Sequence, residues 1–176
     1  MYKTVLFDLD GTLLDTIADL CAAAQAVCRD FRWPQHSLAA IQAMVGNGMV
    51  KLVADFAPPG TSPEQLSRAL ERFQGHYARC CTDSTQPYPG IPALLERLRG
   101  AGVQLGVLSN KADAFTQSIM AHYFPGVFGA VRGSLPSLPA KPGAAAALSL
   151  LRRLETPPQE ALLVGDSDVD LRTGQN

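Results

Sequence analysis

Residues 3–7, Lys-Thr-Val-Leu-Phe, make a short β-branched and aromatic run that stops abruptly at Asp8-Leu9-Asp10-Gly11. An apolar strand that ends in carboxylates and a glycine is the signature of a buried parallel strand whose carboxyl end opens into a crevice. After Gln86-Pro87-Tyr88-Pro89-Gly90 the same texture returns, with helices and strands in alternation. Strands are expected over 103–108, 127–131 and 161–164, and helices over 91–98, 112–123 and 143–154. Alternation of this kind builds a parallel sheet covered by helices on both faces.

Between the two parts the pattern is helical throughout. Ile17, Leu20, Cys21, Ala24, Val27, Cys28 and Phe31 recur at helical spacing, and Trp33-Pro34 stops them. Ser37 is the expected cap of a second helix, with Leu38, Ile41 and Met44 facing inward. Gly46-Asn47-Gly48 breaks the chain before a short helix carrying Met49, Leu52, Val53 and Phe56. Ser62-Pro63-Glu64-Gln65 then opens a helix, with a capping serine and proline at its first position. The fold expected is α/β: a Rossmann-like, doubly wound parallel core of residues 1–14 and 87–176, interrupted by an all-helical cap at 15–86.

Composition narrows the function. Fifteen Lys and Arg balance sixteen Asp and Glu, so the chain has none of the basic excess of a nucleic-acid binder. Cys21, Cys28, Cys80 and Cys81 form neither a metal pair nor a disulfide framework, which points to plain thiols in a reducing compartment. The start shows no cationic and apolar signal pattern, and no stretch approaches the roughly 20 apolar residues of a membrane span. The expectation is a cytoplasmic protein, a monomer or homodimer, without a nucleic-acid or membrane partner.

The chemistry gathers at the strand ends. Asp8 and Asp10 lie two apart on extended backbone and so point the same way, while Phe7 and Leu9 face the core. Side-by-side carboxylates repel unless a cation lies between them, and with Asp166 they offer the hard oxygens that Mg2+ prefers. Such an ion neutralises phosphate charge and lets one carboxylate attack phosphorus. Ser109 and Lys141 would add a hydrogen bond and a positive charge for phosphoryl oxygens, and Gly11 lets the backbone approach closely.

Asp8-Leu9-Asp10-Gly11-Thr12, Ser109-Asn110, Lys141-Pro142 and Gly165-Asp166-Ser167-Asp168-Val169-Asp170 resemble, in order, the four motifs of the haloacid dehalogenase-like hydrolases. The resemblance implies that Asp8 forms an aspartyl-phosphate and that Asp10 serves as general acid and then base. It implies Mg2+ bound by Asp8, the Asp10 carbonyl and Asp166, with Asp170 steadying its water shell. Thr12, Ser109, Asn110 and Lys141 would hold the phosphoryl group. The dehalogenase branch lacks a carboxylate at the Asp10 position, which disfavours a C–halogen substrate.

Val45-Gly46-Asn47-Gly48 and the opening residues 7–16 further resemble the phosphoglycolate phosphatases. That resemblance makes Gly46, Asn47, Gly48 and Lys51 candidates for contact with a small carboxylated phosphomonoester. A phosphosugar mutase or another sugar-phosphate or nucleotide phosphatase is the alternative. Two departures stand out. Gly143 replaces the aspartate usual after the Lys-Pro pair, leaving the anchoring of that loop open. The chain also stops soon after its last motif, so a C-terminal helix and strand are expected to be missing, through truncation, an absent segment or replacement by a partner chain. A non-catalytic binding protein would follow from a true truncation.

Overall fold

The computed structural model describes residues 2–176. They divide into two compact units: the residues up to Asp15 with Pro87–Asn176, and Thr16–Gln86.

In the first unit β1 (Thr4–Phe7) is buried at every position, as a four-residue apolar run must be at the centre of a sheet. β2 (Leu14–Asp15) follows it after one turn of loop. The chain returns through β3 (Gln86–Pro87), which pairs with β2. α5 (Ile91–Gly100), β4 (Gln104–Ala112), α6 (Asp113–Tyr123), β5 (Ala130–Ser134), α7 (Ala145–Arg153), β6 (Ala161–Val164) and α8 (Asp168–Gln175) complete the unit. The helices of the other unit carry the labels α1 to α4.

The main sheet has the order β5-β4-β1-β6 and is parallel throughout. Its register sets the chemistry. Phe7 lies opposite Val107 on one side and Val164 on the other, so β1 and β6 end level while β4 runs on past them. Asp8, Ser109 and Asp166 follow at that edge, and the Asp8 N–H continues the ladder to the Val164 carbonyl at 2.9 Å. Beneath the edge, Leu6, Leu108 and Ala130 pack against Ala146, Leu150, Leu151 and Leu154. Each fully buried leucine contributes about 1.5–3 kcal/mol, so the sheet side of the crevice is held rigidly.

Several boundaries differ from the sequence expectation, for local reasons. β4 runs on through Ser109-Asn110-Lys111, with its register to β5 shifting between Leu108 and Ala112. β5 begins at Ala130 instead of 127 because Phe124-Pro125-Gly126-Val127 is spent on a turn, with Val127 N–H on the Phe124 carbonyl and Gly126 at φ 69°. β2 and β3 are two residues each, too short to carry a periodic signal.

The second unit is built from α1 (Ile17–Phe31), α2 (Leu38–Gln42), α3 (Gly48–Phe56) and α4 (Pro63–Cys80). α1 ends one step earlier than Trp33-Pro34, at a left-handed Arg32. Ser62 caps α4 as expected, accepting the Gln65 N–H. Trp33, Phe56, Phe73 and Tyr77 form a chain of ring contacts through the interior. Leu38, expected inside, is 49% exposed, because α2 is little more than one turn and only Ile41 reaches the core. Buried Asp19 ties the end of the unit to its start: it accepts the Ser84 N–H at 2.9 Å, the Thr85 N–H at 2.9 Å and the Thr85 hydroxyl at 2.7 Å. Among the described residues no helix is long and apolar enough to cross a membrane.

Candidate active site

The loop after β1 winds around one carbonyl. The Leu9 oxygen accepts the N–H groups of Thr12, Leu13 and Leu14, while the Leu9, Leu13 and Leu14 side chains are fully buried. This anchors the turn and leaves Asp8 and Asp10 at the crevice. Gly11 has φ 85°, and a Cβ there would stand 2.5 Å from Asp166 Oδ2, so both backbone conformation and space demand glycine. Next to it, the Thr12 hydroxyl donates to Asp166 Oδ1 at 2.9 Å. Thr12, expected on phosphate, here holds a carboxylate.

Asp8 is buried, 8% exposed. Lys141 Nζ lies 2.8 Å from its Oδ1 and forms an ion pair with it. Burial pushes the Asp8 carboxyl up to about 6, Lys141 pulls it back, and the charges of Asp170 and Asp10 raise it again. Lys141 also donates to Asp170 Oδ1 at 2.5 Å. Asp170 is held in turn by the Ser167 N–H and hydroxyl, inside the capping box that starts α8. A Cβ on Gly165 would fall 2.2 Å from Asp170 Cγ, so that carboxylate packs directly on the strand end.

One oxygen each from Asp8, Asp166 and Asp170 lies within 4.8 Å of the others. Asp8 and Asp166 belong to the expected ligand set and Asp170, expected at its water shell, stands beside them; the Asp10 side chain turns to Lys111, whose Nζ stands 3.0 Å from Asp10 Oδ1. Four carboxylates face two ammonium groups here. The surplus of two negative charges and an all-oxygen donor set fit a hard divalent cation.

Ser109 is buried, and its hydroxyl accepts the Lys111 N–H at 3.2 Å. Asn110, expected on phosphate, spends its side-chain amide elsewhere: Nδ2 donates to the Lys141 carbonyl at 3.1 Å, and Oδ1 accepts the Lys141 N–H at 2.8 Å. That clamp anchors the Lys141 loop without the aspartate that Gly143 replaces. Gly143 itself closes the turn through its N–H on the Ala140 carbonyl at 2.8 Å, where a Cβ would crowd that same oxygen at 3.0 Å.

Gly46, Asn47, Gly48 and Lys51 belong to the helical unit. Gly46 and Gly48 both have positive φ, which gives the turn its shape, and Asn47 precedes α3 without a side-chain capping bond. Lys51 pairs with Asp55 one turn along its own helix. The residue that sequence reasoning passed over is Lys111, 4% exposed. Its signal was present: Ser109-x-Lys111 repeats the two-residue spacing of Asp8-x-Asp10 at a neighbouring strand end.

The family model described as haloacid dehalogenase-like hydrolase matches residues 5–176. The phosphoglycolate phosphatase of Nitrosospira multiformis is 36% identical over 175 residues, covering 94% of this chain and 75% of its own. That of Aquifex aeolicus is 30% identical over 174 residues, covering 98% and 80%. A Lactobacillus delbrueckii subsp. bulgaricus protein crystallised as a candidate phosphoglycolate phosphatase superposes with a TM-score of 0.92 at 30% identity, over 99% of this chain and 82% of that one.

Proposed function

The chain belongs to the haloacid dehalogenase-like hydrolases, and from that membership we propose that it is a Mg2+-dependent phosphatase of small phosphorylated acids, with 2-phosphoglycolate the leading substrate. The observation that carries the reaction class is Asp8: a buried carboxylate at a strand end, paired with Lys141 and flanked by two further carboxylates. The identities of 36% and 30% to proteins named phosphoglycolate phosphatase support the substrate.

In this reading Asp8 attacks phosphorus, and the P–O bond to the leaving group breaks as the acyl-phosphate bond forms. Asp10 gives its proton to the departing alkoxide, then takes one from the water that hydrolyses the aspartyl-phosphate. Such proton transfers are worth about 10²–10⁴ in rate. Asp8, Asp166 and the Asp10 carbonyl would hold Mg2+, with Asp170 beside them, and the bound ion would offset the charge of the phosphate. Ser109 and Lys141 hold phosphoryl oxygens in the transition state. Asn110 keeps the Lys141 loop in place, and Thr12 holds the Asp166 carboxylate through its hydroxyl. Gly46, Asn47, Gly48 and Lys51 remain the candidates for the substrate's carboxylate end.

The test is phosphate release with Mg2+ across a panel of small phosphomonoesters, with Asp8→Asn as control. Phosphoglycolate turnover that disappears in the variant is the expected result. Undiminished turnover in Asp8→Asn overturns the nucleophile. Preference for a sugar phosphate overturns the substrate while sparing the reaction class.

A further inference from the structure

We propose that Lys111 is a positioning residue for Asp10, holding that carboxylate where it can exchange protons with leaving group and water. The inference rests on the proton-transfer role given to Asp10 above, and the test separates the two.

The ion pair is the first observation: Lys111 Nζ lies 3.0 Å from Asp10 Oδ1, with the side chains 2% and 14% exposed. Long charged side chains are almost never buried without a partner that needs them. A buried ion pair is also no better for stability than apolar groups of similar volume, so a lysine here is poorly explained by folding alone.

The second observation is the fixing of its backbone. Lys111 N–H donates to the Ser109 hydroxyl at 3.2 Å, and its carbonyl accepts the Thr116 hydroxyl at 3.2 Å. Gly133 on the neighbouring strand approaches so closely that a Cβ would stand 2.5 Å from the Lys111 oxygen. The ammonium is therefore presented from a pinned strand, the support a catalytic group needs to keep its geometry.

The third is the division of charge. Lys141 serves Asp8 and Asp170, while Lys111 serves Asp10. Two carboxylates only two residues apart thus have separate counter-charges, which draw them to different tasks. Loss of Lys111 removes this hold on the Asp10 carboxylate, and a misplacement of about 1 Å costs on the order of 10² in rate.

The Mg2+-loaded enzyme with p-nitrophenyl phosphate as probe isolates this role. Formation of the Asp8–phosphorus bond expels p-nitrophenolate, whose electron pair needs no proton. The following attack of water forms a new P–O bond, breaks the acyl phosphate and hands a proton to Asp10. Lys111→Met is expected to keep a rapid release of about one p-nitrophenolate per enzyme and then turn over about 10–100-fold more slowly, with KM changed less than about threefold. Asp10→Asn should behave alike, and the double variant should be no slower than Asp10→Asn alone. Lys111→Arg should recover part of the loss.

Loss of the initial release together with turnover in Lys111→Met, or losses that multiply in the double variant, overturns the proposal. Should the Met variant not fold, Lys111→Gln is carried through the same cycle and decides by the same outcomes. An initial release that survives Asp8→Asn overturns the nucleophile instead, whatever Lys111 does.

Discussion

Asp8→Asn should make the metal-free protein more stable at neutral pH, although it removes the proposed nucleophile. The folded state holds the Asp8 carboxyl at about 6 against an ordinary value of 3.8, chiefly through burial. Between those two values the native chain binds more protons than the unfolded one, so stability falls as pH rises through the window. Above about pH 6 the full penalty is present, on the order of 1–3 kcal/mol given the size of the rise. Asparagine carries no charge to desolvate, and Lys141 keeps Asp170 as its partner. Thermal unfolding followed by circular dichroism in EDTA should place the variant about 3–9 °C above the wild type near pH 7.5. The two should converge as the pH falls below about 3.8, where the wild-type carboxyl becomes protonated in both states. Added Mg2+ should reverse the order by stabilising the wild type more. A wild type that melts higher than the variant in EDTA near pH 7.5, or whose melting does not fall across the window relative to the variant, would refute this electrostatic account of Asp8.

Gly11→Ala puts a methyl group 2.5 Å from Asp166 Oδ2 on backbone at φ 85°; it should cost about 1–3 kcal/mol in urea unfolding and weaken Mg2+ binding by calorimetry at least about tenfold. Asn110→Ala removes both bonds that hold the Lys141 backbone; turnover should fall about tenfold or more, and Asn110→Asp, which keeps only the acceptor, should lie between. Asp19→Ala leaves the buried N–H of Thr85 and the N–H of Ser84 without their acceptor; the expected loss is about 2–4 kcal/mol in urea unfolding, with Asp19→Asn recovering part of it.

The strands that carry the chemistry were legible because each is a short apolar run cut off by a charged or polar residue, a pattern that states both the element and its end. The pairing of Asn110 with the Lys141 backbone was not, since it joins residues 31 positions apart and neither loop announces its partner. Lys111 was hidden by its residue type: a lysine after an apolar strand reads as the return to solvent, and only the neighbouring strand shows that Asp10 is waiting there. Leu38 failed for the opposite reason, an apolar residue on a helix too short to have a stable inner face. Periodicity reports faces of elements, whereas the polar cross-links of a site depend on register between elements.

The pairing of Leu14–Asp15 with Gln86–Pro87 means that the chain leaves the sheet unit and comes back to it through adjacent strands, within about 5 Å in the hydrogen-bonding direction. An excursion of such length would ordinarily cost closure entropy, but here Asp19 laces the two ends of the insert together from inside. To the sheet the insert is therefore equivalent to a tight hairpin turn. It can be exchanged for a larger, smaller or unrelated module wherever the replacement delivers its two ends side by side, while the sheet unit and its strand-end carboxylates stay as they are.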